Sequence, residues 1–167
     1  MSRTLTLRNR QRIQPVDLRL LRGVVRALLQ DLLHLETFEL SIHVVGAPEM
    51  THLNETFLRH EGSTDVITFD YSDPALPSFL GGDIFVCMDE AVRQAKRFRV
   101  TWQNELVRYI VHGVLHLQGY DDHRKADRRK MKAAETRLLQ KLAAQFPLPK
   151  LGKRRKAVRK TSPKARN

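Results

Sequence analysis

The sequence is poor in cysteine and contains no long apolar run. Its single cysteine, Cys87, excludes a disulfide within the chain, and we expect a reducing compartment such as the cytoplasm. No apolar run approaches the roughly 20 residues that a helix needs to cross a bilayer. The N-terminal stretch "MSRTLTLRNRQRIQP" also lacks the apolar core of a signal peptide. We therefore expect a cytoplasmic protein without a membrane partner, in which Cys87 is a small core residue.

Acidic residues are absent from residues 150–167, whereas the chain as a whole is basic. The formal net charge is +12, and this terminal segment supplies nine positive charges, which leaves +3 for the rest. A segment with so little apolar surface is not expected to fold alone. We predict a folded domain over residues 1–147 and a disordered basic tail over residues 148–167. Such a tail can keep the protein soluble, or it can be an arm that binds a phosphate backbone without sequence preference.

The 167 residues suffice for one domain with a hydrophobic core, and strand and helix patterns are mixed along them. Four segments alternate as strands do, in "TLTLRN", "FELSIHVVG", "DVITFDY" and "GGDIFVCM". Five segments have helical spacing, starting at Pro15, at Ala47, at Asp89, after Thr101 as N-cap, and at Lys125. The pattern predicts an α+β fold with a small mixed four-stranded sheet and about five helices. It does not predict the order of the strands.

A cluster of histidines lies at the end of the fourth predicted helix, in "VHGVLHLQGYDDH". His112 and His116 are four residues apart and so share one helix face. Gly113 leaves room for another backbone or a substrate, and Gly119 is a natural helix terminator. The following "YDDH" turn offers a third ligand to an ion held by the two imidazoles. Two histidines at this spacing are common by chance, but the added glycine stop and polar turn predict a metal site on a central helix.

The same segment, "HGVLHLQGYDDH", resembles the signature of the YbeY family of metal-dependent, single-strand-specific endoribonucleases. The segments "LNETFLRHEGSTDVITFDY" and "GGDIFVCMDEA" resemble two further motifs of that family, and Met131 and Glu135 fit its last helix. The similarity covers about residues 40 to 140. It implies the α+β fold of the family, one Zn²⁺ ion, and a role in ribosomal RNA maturation, including small-subunit 3′ end processing and ribosome quality control. The implied partners are ribosomal RNA, pre-ribosomal particles and ribosomal proteins.

Two departures from the family pattern concern site residues. The third histidine of the family falls on Asp122, and His123 follows one position later. Counting without a gap favours Asp122 as the third ligand, whereas a one-residue bulge would favour His123. The arginine of the family falls on Leu58, so Arg59 is a candidate phosphate-binding residue that stands about 100° further round a helix. It is equally compatible with a solvated surface charge.

The resemblance, together with the predicted metal site, implies metal-assisted phosphodiester cleavage with His112, His116 and Arg59 as catalytic residues. Asp83 is a candidate to orient a ligand histidine, or else it caps a strand end. The remaining histidines, His34, His43, His52 and His60, are expected to be surface or hydrogen-bonded core residues.

Two other functions fit parts of the pattern. A zinc protease of the metzincin type has similar ligand spacing, but it needs a glutamate where this chain has Gly113. A non-catalytic ribosome-assembly module would use zinc structurally and bind RNA through the basic tail. Structural zinc sites usually have four protein ligands, often cysteines, and Cys87 alone gives little support for one.

Overall fold

The computed structural model describes residues 2–153. These residues form one α+β unit, and the predicted count of four strands and five α-helices is confirmed for them. The strands are β1 (Arg3–Asn9), β2 (Thr37–Val45), β3 (Val66–Asp70) and β4 (Phe79–Cys87). The helices are α1 (Leu18–Arg26), α2 (Ala47–Phe57), α3 (Met88–Phe98), α4 (Trp102–Leu117) and α5 (Lys125–Gln145).

The four strands form one mixed sheet in the order β1-β2-β4-β3. β1, β2 and β4 run parallel, and β3 pairs antiparallel with β4 at the edge. Successive side chains along a strand point to opposite faces, so each residue of β4 is assigned to one side by its parity. Ile84 faces α4, whereas its neighbours Asp83 and Phe85 point to the opposite face, on which α2 packs.

Helix α4 packs against the sheet at two glycines. A Cβ atom at Gly113 would lie 2.8 Å from Cγ2 of Ile84, and one at Gly82 would lie 2.9 Å from Cδ2 of Leu117. Both distances are shorter than van der Waals contact, so the helix reaches this depth only because the two positions lack side chains. The space at Gly113, expected to admit another backbone or a substrate, is filled by the side chain of Ile84.

The two ends of α4 follow the prediction. The Thr101 hydroxyl accepts a hydrogen bond from the backbone N–H of Asn104 at 3.2 Å, as an N-cap does. At the other end Gly119 has a φ of 95°, and the N–H of Tyr120 bonds the carbonyl of Leu115 at 3.0 Å. This closing pattern needs the left-handed conformation that glycine adopts without strain. It turns the chain back toward the last turn of α4.

The first helix, which the apolar spacing predicts from Pro15 through Leu35, differs from this prediction at both ends. It begins at Leu18 rather than at Pro15, because the Asp17 side chain caps it by accepting from two backbone N–H groups. The α-helix ends at Arg26, and Ala27–Leu32 continue as a π-helical segment. Apolar spacing of three and four residues does not distinguish these two hydrogen-bond patterns.

The predicted domain boundary at residue 148 is too early. Leu148–Gly152 form a 3₁₀-helical turn, in which Leu148 and Leu151 are buried. The carbonyl of Leu151 also accepts a hydrogen bond from the N–H of Asp17 at 2.8 Å. The burial of these two leucines stabilises the turn, whereas the prediction of disorder considered only the charge of the segment. The rest of the predicted tail, residues 154–167, lies outside the described residues.

The cysteine and the hydropathy follow the expectations drawn from composition. Cys87 is fully buried at the end of β4, as expected for a core residue, and burial raises the pKa of its thiol. Within residues 2–153, no helix has both the length and the apolar character of a membrane span.

The contact between Gly113 and Ile84 predicts opposite effects of one substitution at two helical glycines. Gly113→Ala should lower the free energy of unfolding by about 1–2 kcal/mol, because the clash outweighs the better helix propensity of alanine. Gly23→Ala should raise it by up to about 1 kcal/mol, because a Cβ there lies an ordinary 3.7 Å from Phe146. Urea unfolding of the two variants measures both signs, and a stabilised Gly113→Ala variant would contradict the packing argument.

Candidate metal centre

The two histidines of α4 and one aspartate of the following turn form a compact cluster. His112 and His116 are separated by one helical turn, and their rings lie 4.6 Å apart at an angle of 82°. The turn after Gly119 places Asp122 beside them. The imidazoles are about a quarter exposed and the Asp122 side chain is 41% exposed, so the cluster is reachable from solvent.

Three potential ligand atoms converge in this cluster. Nε2 of His116 lies 3.0 Å from Nε2 of His112. Oδ2 of Asp122 lies 3.6 Å from the first of these nitrogens and 4.0 Å from the second. Ligands about 2.0–2.1 Å from one tetrahedral ion are separated by about 3.3 Å. The three separations bracket this value, so small side-chain rotations would bring all three atoms to bonding distance.

The other ring nitrogen of each histidine has a partner that accepts hydrogen bonds. Nδ1 of His116 lies 3.1 Å from the backbone carbonyl of Tyr120, which can only accept. Nδ1 of His112 lies 3.5 Å from Oε2 of Glu135. Both contacts favour a proton on Nδ1 and leave a lone pair on Nε2 of each neutral ring. Two lone pairs and a carboxylate facing one point form a donor set suited to a divalent cation.

Glu135 is itself held by a buried ion-pair network. Its carboxylate accepts from Arg108 at 3.0 Å, and Arg108 also binds Glu105 through two nitrogen–oxygen contacts. Glu105 and Glu135 are 4% and 3% exposed. Burial alone would raise the pKa of Glu135, but the His112 contact and the charge of Arg108 outweigh it and hold this pKa below its usual range. Glu135 therefore carries a negative charge against the back of His112.

His123 and Arg59 do not join the cluster. The His123 side chain is 87% exposed, and its Nε2 lies 3.7 Å from Asp121. The structure thus brings Asp122, and not His123, to the two imidazoles. A second possible metal group, Asp121 with Asp122 and His123, includes neither histidine of α4. Arg59 is exposed in the loop after α2 and has a φ of 54°, so its role in phosphate binding stays a prediction.

Asp83 orients a different histidine from the one expected. Its carboxylate lies 3.2 Å from Nε2 of His43 and accepts from the Tyr71 hydroxyl at 2.5 Å. Parity along β4 places it on the sheet face opposite to α4. Of the two roles considered for Asp83, that of orienting a ligand histidine falls to Glu135, which lies beside His112. In the described part of the chain, His34, His43, His52 and His60 belong to neither metal-compatible group.

The sequence contained a signal for the network that was missed. Arg108 and Glu105 are charged residues on a helix whose other inward positions are apolar, and they precede His112 by four and seven residues. A buried charge requires a partner, and these two residues of opposite sign predict an ion pair on the same helix as His112. The third member of the network, Glu135, could not be predicted, because it approaches only after α5 folds back onto α4.

The chain matches known proteins along most of its length. The family model described as Endoribonuclease YbeY matches residues 6–143. A protein named Endoribonuclease YbeY from Syntrophotalea carbinolica is 32% identical over 145 residues, which cover 84% of this chain and 96% of the relative. The protein of that name from Chlorobium luteolum is 36% identical over 104 residues, covering 62% and 74%. The Anaeromyxobacter sp. protein is 40% identical over 100 residues, covering 60% of this chain and about half, 52%, of its own length.

A solved structure shows the same fold. The solution structure of TM1509 from Thermotoga maritima aligns with a TM-score of 0.65 at 20% identity, over 93% of this chain and all of that one. At this identity the likeness shows the fold alone. The family model spans most of the chain, and the extended match to the Syntrophotalea protein agrees with it. The chain belongs to the endoribonuclease YbeY family.

Proposed function

We propose that this protein is a zinc-dependent endoribonuclease that cleaves single-stranded RNA. The observation that carries the proposal is the convergence of two Nε2 lone pairs and one carboxylate oxygen in a chain of this family. Nitrogen and oxygen donors in a set of two imidazoles and one carboxylate suit Zn²⁺, with other divalent transition ions as substitutes. The names of the relatives supply the reaction class, which is hydrolysis of a phosphodiester bond.

In this proposal His112, His116 and Asp122 hold the ion. A bound divalent ion supplies positive charge that polarises a phosphate oxygen and acidifies water. Glu135 and the carbonyl of Tyr120 keep the proton on Nδ1 of each ring, so that Nε2 stays available. The α4 backbone, fixed against the sheet, keeps the two imidazoles in register. We retain Arg59 as a candidate to neutralise charge on the phosphate during cleavage.

The proposed substrate is ribosomal RNA within pre-ribosomal particles, with processing of the small-subunit 3′ end and ribosome quality control as the biological role. The support is the family membership together with the formal charge of +12, which suits a polyanionic partner. Ribosomal proteins are proposed as further contacts within these particles. The proposed location is the cytoplasm, and its support is the single cysteine in reduced, buried form.

The alternative functions are less well supported by the site. In a metzincin-like protease a glutamate would replace Gly113, but that position has no space for a side chain because Ile84 fills it. In a structural zinc site four protein ligands are usual, whereas the cluster found within residues 2–153 contains three. Family membership favours cleavage over a purely structural role.

Removal of one ligand should abolish metal binding and cleavage together. His116→Ala and Asp122→Ala should each weaken zinc binding by more than about 100-fold, because removal of a group that only orients a ligand already costs about 10- to 100-fold. His123→Ala is the matched control from the same turn, and it should retain both properties. Metal content by mass spectrometry and cleavage of a labelled single-stranded RNA measure the two. Loss of zinc in the His123 variant with retention in the Asp122 variant would reverse the ligand assignment.

A second prediction concerns the charge behind His112. Glu135→Gln should weaken zinc binding by about 10- to 100-fold, because it removes the negative charge that makes the imidazole a stronger donor. Glu105→Gln removes an equally buried partner of Arg108 that does not touch His112, and it should leave zinc affinity within about threefold of the wild type. Competition with a chromophoric chelator gives both affinities, and circular dichroism confirms folding. Equal losses in both variants would attribute the effect to stability rather than to His112.

A further inference from the structure

A cavity of about 200 Å³ lies next to the candidate metal centre, between α4 and α5. His112 and Asp122 form part of its wall, and Arg128 and Lys132 of α5 form another part. Two of the three candidate ligand residues therefore line it. A space of this size holds a phosphate group together with several waters, each of which takes about 30 Å³ in the liquid.

Some charged side chains around this cavity are paired with other side chains, and others are not. Arg108 is occupied by Glu105 and Glu135, and these three groups form the buried network described above. The Asp65 side chain is occupied by its local bonds to Thr64 and to the backbone N–H of Val66. Arg128 and Lys132 are exposed and form no ion pair with another described residue. The wall thus contains the carboxylates of Asp65, Asp122 and Glu135 as well as three cations, and of these cations Arg128 and Lys132 are the two that no described carboxylate pairs with.

The spacing of these two cations adds a second argument. Arg128 and Lys132 are four residues apart on α5, so both side chains lie on one face and repel each other. The repulsion is small in water, about 0.2–0.5 kcal/mol for such a pair. When an anion enters between the two side chains, both cations attract it, and this attraction offsets their mutual repulsion. An arginine fork and a lysine ammonium are the usual side chains for this purpose.

We propose that Arg128 and Lys132 form a phosphate subsite that binds the RNA backbone next to the scissile phosphate. The inference rests on the proposed function, since it assigns the cavity to the same strand that reaches the metal centre. In this proposal, one phosphate of a single RNA strand lies at the metal centre beside Asp122, and the next phosphate of the same strand lies in the cavity. The subsite binds the charged phosphate and not the base, so it contributes affinity without sequence preference.

The test compares two double variants of equal charge. Arg128→Gln/Lys132→Gln removes the subsite, and Arg137→Gln/Lys141→Gln removes two exposed cations with the same spacing on the same helix, away from the cavity. The probe is a fluorescein-labelled ten-nucleotide 2′-O-methyl oligouridine, which resists cleavage, and its affinity for each full-length protein is measured by anisotropy across a salt series. We expect the first variant to bind about tenfold more weakly at low salt. The slope of log K against log salt should become shallower by about 0.7 for each phosphate that the protein no longer neutralises.

The outcomes separate this inference from the proposed function. Equal loss in both double variants indicates diffuse attraction and overturns the subsite, as does no loss in either. Cleavage of unmodified RNA and zinc binding are measured in parallel on the wild type. A selective loss of affinity in the Arg128/Lys132 variant, with no cleavage by the wild type, would leave the subsite standing and overturn the nuclease. Cleavage by the wild type, together with equal RNA affinity of the two double variants, would leave the nuclease standing and overturn the subsite.

Discussion

The feature on which the site depends is the approach of the Nε2 atoms of two imidazoles to 3.0 Å, while Nδ1 of each ring faces a hydrogen-bond acceptor. A backbone carbonyl orients one ring and a buried carboxylate orients the other. In the tautomer that these acceptors favour, the two Nε2 lone pairs face each other with the Asp122 carboxylate alongside. A cation between these three atoms stabilises that arrangement. The fold therefore maintains a group of donors that a cation stabilises.

The position of the two rings depends on how deeply α4 lies in the fold. Ten of its sixteen residues are buried, and two glycine contacts set its distance from β4. Since protein interiors are close-packed, a helix held in this way does not shift to relieve repulsion between two side chains on its outer face. The rigidity of the helix is therefore what keeps the ligand atoms together before any ion binds. Capping by Thr101 and the turn at Gly119 fix the ends of the same element.

The sequence predicted what depends on local patterns and missed what depends on distant contacts. The strands, the helices and the pair His112 and His116 follow from periodicity, because one face of each element is buried. The turn at Gly119 follows from backbone conformation. Whether Asp83 orients a ligand histidine could not be decided from the sequence, because a strand residue faces one side or the other by parity, and only the pairing of β4 shows which side α4 covers. The folded turn after residue 147 was missed because positive charge outweighed two leucines.

The contact of Glu135 with His112 shows why the sequence predicted the site less completely than the fold. Its residue type and its helix could be read from the sequence, but its contact with His112 requires α5 to pack against α4, as the short connection between them permits. Burial of two carboxylates there would be unfavourable without Arg108, which binds both and leaves the network with one net negative charge. That charge lies against the side of His112 opposite to the ligand atoms. The network that stabilises the packing of α5 on α4 thus also places a negative charge beside the candidate metal centre.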